Sequence, residues 1–191
     1  MRSNNIFGLV FLILLNSSII YSQKYEFSIQ VKTSLLHVKE YEEDSNKGKY
    51  GSSLNFYPPL SIYLGNKFII DEDYQIEISP GFLYAGENYS GFEAGLYLRR
   101  NIIQNVFFLA LGMNFHYSSG EGHGTSILEY IPDGIYSNFA VAIGLYMSKA
   151  VSFNINYLKS LDEDFGYTST GGNIYPRKLY GIIQAGFEFN L

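Results

Sequence analysis

The stretch Phe107–Ser118 reads FFLALGMNFHYS. Every second residue is large and apolar or aromatic, namely Phe107, Leu109, Leu111, Met113, Phe115 and Tyr117, while Ala110, Gly112, Asn114, His116 and Ser118 fall between them. A period of two marks an extended strand, whose successive side chains point to opposite faces. The two faces differ in bulk as well as polarity. A strand in a water-soluble barrel turns its bulky face inward and a charged face to solvent. Here the second face is small and nearly uncharged, which fits the crowded inside of a narrow barrel whose bulky face meets hydrocarbon.

The same alternation recurs along the chain. Odd positions are apolar from Tyr25 to Leu35, with Glu26, Ser28, Gln30, Lys32 and Ser34 opposite. Even positions carry the apolar face from Leu54 to Leu64, from Tyr74 to Tyr84 and from Phe92 to Leu98. Further runs cover Asn138–Met147, Val151–Tyr157 and Leu179–Leu191, so the pattern predicts eight strands. Long polar or glycine-rich links follow the first, fifth and seventh strands, at Val38–Tyr50, Ser119–Gly134 and Asp162–Pro176, and short ones follow the fourth and sixth. Long loops on one side and tight turns on the other are the layout of an outer-membrane barrel. Gly65–Asp73 reads as a long inner turn, and Pro58 and Pro59 predict a bulge or early end in strand two, since proline cannot donate to the ladder. A spanning strand needs about 9–11 residues, so eight consume roughly 72–88 and sixteen would leave nothing for connections. The barrel is therefore narrow, and a wide diffusion pore is excluded.

Composition agrees. Of the 191 residues 17% are aromatic and only 16% charged, with 18 Tyr, 15 Phe and 19 Gly, a mixture suited to pleated surfaces rather than a helical bundle. With no cysteine, disulfide scaffolds, thiol catalysis, Cys-based zinc sites and a lipoprotein anchor drop out. A net charge of −5 argues against nucleic acid as a partner. Arg2 followed by the apolar run Ile6–Leu15 and small Ser22 predicts a signal peptide over residues 1–22, cleaved before Gln23, with a barrel domain over 23–191. A retained anchor is the alternative. No later apolar stretch is long enough for a membrane helix, so membrane insertion has to use β-structure.

The last strand ends QAGFEFNL, with Gln184, Gly186, Phe189 and Leu191 in the order polar, glycine, hydrophobic, hydrophobic. This resembles the C-terminal signal read by the barrel-insertion machinery. Residues 23–191 as a whole resemble the small eight-stranded outer-membrane barrels, the OmpA/OmpX-like group, and within it the Bacteroidota type. The resemblance implies an all-β, up-and-down antiparallel transmembrane barrel in the cell outer membrane. It also implies outer-membrane lipid and lipopolysaccharide as surroundings and the insertion machinery as a partner during biogenesis. It implies no cofactor.

Alternation assigns Glu26, Lys32, Glu77, Glu93, Arg99, His116 and Glu188 to the lumen, with Glu26, Glu77, Arg99 and Glu188 in the inner half and Glu77–Arg99 as the expected ion pair. Three acids against one arginine predict a charge imbalance that draws in water, a proton or a cation. The lumen is then either an ion path or an electrostatic plug. Tyr41, Ile131, Tyr136, Phe165, Tyr167 and Tyr175 are the expected aromatic and apolar anchors of the outer loops for an extracellular partner. His116 and Ser118 resemble the His-x-Ser element of outer-membrane lipid A deacylases, but they sit on strand five and have no clear supporting acid. Acid runs at Glu42–Asp44 and Asp162–Asp164 lack the ligand spacing of a calcium loop, and Gly120, Gly122 and Gly124 form no phosphate cradle. The expected role is a non-enzymatic barrel acting through its loops. A narrow channel, a lipid A ester hydrolase, a soluble lipocalin-like barrel and a secreted β-sandwich are the competing readings.

Overall fold

The computed structural model describes residues 24–41, 50–55, 59–84, 89–118, 128–162, 164–170 and 173–191. The signal peptide, the acid run 42–44, Glu121 and the glycines at 120, 122 and 124 lie outside them, as do Glu163 and the side chain of Tyr41. Among the described residues eleven strand segments form one sheet: β1 (Tyr25–Tyr41), β2 (Tyr50–Asn55), β3 (Leu60–Ile69), β4 (Tyr74–Tyr84), β5 (Gly91–Ile103), β6 (Phe107–Ser118), β7 (Leu128–Tyr130), β8 (Gly134–Tyr146), β9 (Val151–Ser160), β10 (Asp164–Thr170) and β11 (Asn173–Asn190). β2 and β3 pair end to end with β1, β10 prolongs β9 along β11, and β7 prolongs β8 at the outer end. The segments thus make eight antiparallel staves, and pairing of β1 with β11 closes the ring. Among the described residues no helix is long and apolar enough to cross a membrane.

Burial alternates along every stave in the sense that the residue volumes dictate. On β6, Leu109, Leu111, Phe115 and Tyr117 are exposed on the outer wall, while Ala110, Asn114, His116 and Ser118 are buried inside. Leu96, Leu98, Ile143 and Ile155 continue the exposed belt, and Tyr25, Tyr84, Tyr117, Tyr157 and Phe187 also face outward. A closed ring satisfies its own backbone groups, and with an apolar outside and a charged inside it is built for hydrocarbon rather than water. This is the construction of an outer-membrane barrel.

Turns on the inner side follow local chemistry. Asp71 Oδ1 accepts from the backbone N–H groups of Asp73 and Tyr74, both at 2.8 Å, and holds the β3–β4 turn. Asn105 takes the left-handed conformation, φ 58°, in the β5–β6 turn, a geometry that asparagine tolerates better than branched residues. Ser148 Oγ accepts from Ala150 N at 3.2 Å and Val151 N at 3.1 Å in the β8–β9 turn.

Several connections differ from the sequence reading. β3 runs on to Ile69, so the supposed long turn from Gly65 contracts to the residues after it. The link expected over Asp162–Pro176 is largely a hairpin of β10 with the start of β11, and the other two long links also contain strand. Above the belt, β2, β1, β11, β10 and β7 pair in that order into a platform, whereas β4, β5 and β6 end near the rim at Tyr84, Gly91 and Ser118. In the second stave Pro59 is in no strand and β3 begins just after it at Leu60, while Pro58 lies outside the described residues.

Candidate functional site

The inner half of the lumen holds a network of buried charge. Glu77 from β4, Arg99 from β5 and Glu188 from β11 converge. Arg99 Nη1 donates to Glu77 Oε2 at 2.6 Å and to both Glu188 oxygens at 3.1 Å. Glu77 Oε1 also accepts from Gln30 Nε2 at 2.6 Å and Ser79 Oγ at 2.5 Å. Lys67 on β3 pairs with Glu188 and donates to Asn190 Oδ1 at 2.5 Å. Lys32 on β1 lies with its ammonium 4.7 Å from the Tyr63 ring centroid. The Arg99 guanidinium stacks 3.7 Å from the centroid of Phe108. That ring lies against Gly144 so closely that a Cβ there would sit 2.1 Å from Phe108 Cζ. Gly186 serves the same purpose across the β1–β11 seam, where a Cβ would meet the Val31 carbonyl at 2.1 Å.

The charge balance differs from the expected one. Glu26 is exposed at the inner mouth, not inside the lumen, because it lies too near the start of its stave to be covered. Lys67 is inside instead, and together with Lys32 it supplies the cations that the expected excess of acid lacked. The inner carboxylates Glu77 and Glu188 have Lys32, Lys67 and Arg99 around them, with the buried carboxylate of Glu93 above, so the expected excess of acid is absent. A signal for Lys67 was present: Ser61, Tyr63, Gly65 and Lys67 keep the inward parity, but Asn66 interrupts the greasy face and makes the strand look finished at Leu64. Within the network the protein leaves a cavity of about 20 Å³, lined by Lys32, Glu77, Arg99 and Glu188 among others. That is room for about one water.

Above this network Tyr63 donates to Glu93, and Gln184 Nε2 donates to the Tyr63 hydroxyl at 3.1 Å. His116 Nδ1 lies 3.5 Å from Glu93 Oε1. Over His116 the rings of Tyr89, Tyr136 and Phe165 form a cluster, with Tyr89 centred 4.1 Å from His116 and 5.2 Å from Phe165. Burial, and then the neighbouring Glu93 carboxyl, raises the Tyr89 hydroxyl well above an ordinary phenol. Ile131, Leu36, Val38, Leu83, Leu158, Leu179 and Ile182 complete an apolar plug. Ile131, Tyr136 and Phe165 are therefore not surface anchors. Their segments fold back over the barrel mouth, where burial of ring and alkyl surface outweighs exposure to solvent. Of the expected anchors, Tyr167 is exposed and Tyr175 half-buried.

His116 and Ser118 are fully buried on the lumen side of β6, with the wall between them and the lipid-facing surface. At the inner mouth a polar vestibule of about 700 Å³ is lined by Lys24, Glu26, Asp71, Glu72, Lys149 and Asn190 among others. Gln184 and Gly186 of the expected insertion signal point inward on β11, while Phe189 and Leu191 are exposed outside.

The chain matches no protein-family model and no curated protein by sequence. Among solved structures it is similar to the outer membrane protein OprG from Pseudomonas aeruginosa, at 10% identity and a TM-score of 0.48, over 88% of this chain and 97% of that one. It is also similar to Neisserial surface protein A, at 13% identity and a TM-score of 0.46, over 86% and 97%. A third similar structure is Ail, the attachment invasion locus protein of Yersinia pestis, at 12% identity and a TM-score of 0.45, over 87% and 97%.

Proposed function

We propose that this protein is a sealed, non-enzymatic barrel of the outer membrane, of the Bacteroidota type, that acts as a structural and surface-contact element through its outer end. The observation that carries this reading is the filling of the lumen. A network of paired buried charge occupies the inner half, an apolar aromatic plug occupies the outer half, and the cavity between the charged groups has room for about one water. Such an interior stiffens the wall and passes nothing of size. Contact with a partner then falls to the platform of β1, β2, β7, β10 and β11, where Tyr167 is an expected anchor that is exposed and exposed Ile174, which the sequence reading did not single out, joins it. Lipid and lipopolysaccharide surround the belt, and the insertion machinery reads Gln184, Gly186, Phe189 and Leu191 during biogenesis. Burial of His116 and Ser118 away from lipid supports the absence of lipid A hydrolysis.

Planar-bilayer recording of the purified barrel tests the seal: no stepwise conductance is expected, and steps abolished by Glu77→Gln overturn the reading. Cells producing Tyr167→Ser/Ile174→Ser should keep a heat-modifiable, outer-membrane-located barrel while losing wild-type surface attachment. Attachment equal to wild type removes the surface role. The extracted lipid A of producing cells should keep its mass, and a loss of mass that disappears with Ser118→Ala would establish an enzyme instead.

A second reading, a narrow proton path, is favoured by His116, Ser118, Asn138 and Ser34, whose buried polar atoms point inward without a protein hydrogen-bond partner. Such groups suit a file of water. A pH gradient imposed across barrel-loaded vesicles should persist if the seal is complete and collapse if this path operates.

A further inference from the structure

The outer wall carries a cationic cluster where β1, β11 and β9 leave the apolar belt. The register of β1 on β11 shifts at this point, with His37 opposite Gly181 and Val38 opposite Leu179, so that Tyr180 is the extra residue. His37, Lys39 and Lys159 alternate with buried Leu36, Val38, Leu158 and Ser160, which places them on the lipid-facing side. Their side chains gather on Tyr180. Lys39 Nζ lies 4.4 Å and Lys159 Nζ 5.2 Å from its ring centroid, and the His37 ring is centred 5.7 Å away. Lys178 stands opposite Lys39 in the register and has Asp164 as its other cross-strand neighbour. Among the described residues neither Lys39 nor Lys159 has a carboxylate within ion-pair distance.

Lys39 from β1 and Lys159 from β9 flank Tyr180 on the intervening β11, so two positive charges share one short stretch of wall and the π system offsets only part of their mutual repulsion. An anion within reach of both reverses the sign. The position selects the anion. Exposed Tyr157 and Ile183 lie just below on the same staves, so the cluster sits at the upper edge of the belt, where lipid headgroups meet the wall. Basic groups at that height recognise phosphorylated headgroups. We propose that Lys39 and Lys159, positioned by Tyr180, bind the phosphate of an outer-leaflet glycolipid of the lipid A class, whose acyl chains lie on Tyr157 and Ile183. This rests on the outer-membrane location proposed above.

The test uses the full barrel in nanodiscs, with purified bis-phosphorylated lipid A as the probe and lipid retention read by native mass spectrometry. Lys39→Gln/Lys159→Gln is expected to bind about 25-fold more weakly, since each lysine near a lipid surface contributes about fivefold. Lys39→Arg/Lys159→Arg should retain binding, and Lys149→Gln, at the inner turn, should not alter it. Lipid A stripped of phosphate should bind wild type no better than it binds the double Gln variant. Equal retention by wild type and the double Gln variant overturns the proposal, as does equal binding of the stripped lipid or displacement of lipid A by inorganic phosphate alone. Outer-membrane fractionation of the same variants tests the location separately: a folded barrel absent from that fraction defeats the location and leaves the nanodisc result to be judged by itself.

Discussion

Arg99→Met probes what holds the inner half of the barrel together. Arg99 is buried, donates to Glu77 at 2.6 Å and to Glu188 at 3.1 Å, and stacks on Phe108. Removing one partner from a buried ion pair costs about 3–5 kcal/mol, mostly because the other charge stays buried and unpaired. The two carboxylates are not left equally exposed to that cost. Glu188 keeps Lys67 and Ser152, whereas Glu77, among the described residues, keeps the neutral donors Gln30 and Ser79 at hydrogen-bond distance and the Lys32 ammonium only across the cavity. Most of the penalty therefore belongs to Glu77. Adding Glu77→Gln to Arg99→Met should recover about 2–3 kcal/mol, because exchanging a whole buried pair for neutral groups is close to neutral. Urea titration in lipid vesicles, read by the heat-modifiable gel shift, measures all four corners of the cycle. The sequence has no tryptophan, so tyrosine emission is the optical check. If the double variant loses the sum of the two single losses, the residues are uncoupled and the network does not stabilise the barrel in this way.

Three further outcomes follow from the same packing. Gly144→Ala should cost about 1–3 kcal/mol by driving Phe108 off Arg99, and Phe108→Leu in the same chain should restore part of it in the vesicle titration. Phe165→Ala should cost about 3–5 kcal/mol because it empties the outer plug; a loss below about 0.5 kcal/mol, the size of an ordinary surface substitution, would mean that Phe165 is not packed over the mouth. Asn105→Val should destabilise by about 1–2 kcal/mol and Asn105→Gly hardly at all, since only the first forces a branched side chain into the left-handed region.

What was legible in the residue order and what was not divides along the range of the forces involved. Side-chain direction in a strand is a local property, so Leu109, Leu111 and Ile143 against Ala110, His116 and Ala142 could declare a greasy outside and a cramped inside with no knowledge of the neighbours. Glu77 and Arg99 shared that advantage, lying on consecutive strands joined by one short link. Lys67 was hidden by a single polar outward residue, Asn66, and Glu26 was misplaced because alternation reports direction but not depth. Ile131, Tyr136 and Phe165 followed glycine-rich or acidic segments that read as exposed loops, and only the meeting of β8, β10 and the Tyr89 segment over one narrow mouth turned them inward. The cluster on Tyr180 likewise required the register of β1 on β11, residues far apart in the chain. Parity along one strand needs no partner, so the alternating sequence alone determined a membrane-facing barrel. Depth, register and closure exist only once all eight staves have met, and those decided which charges are paired, what seals the lumen and where the outer wall is positive.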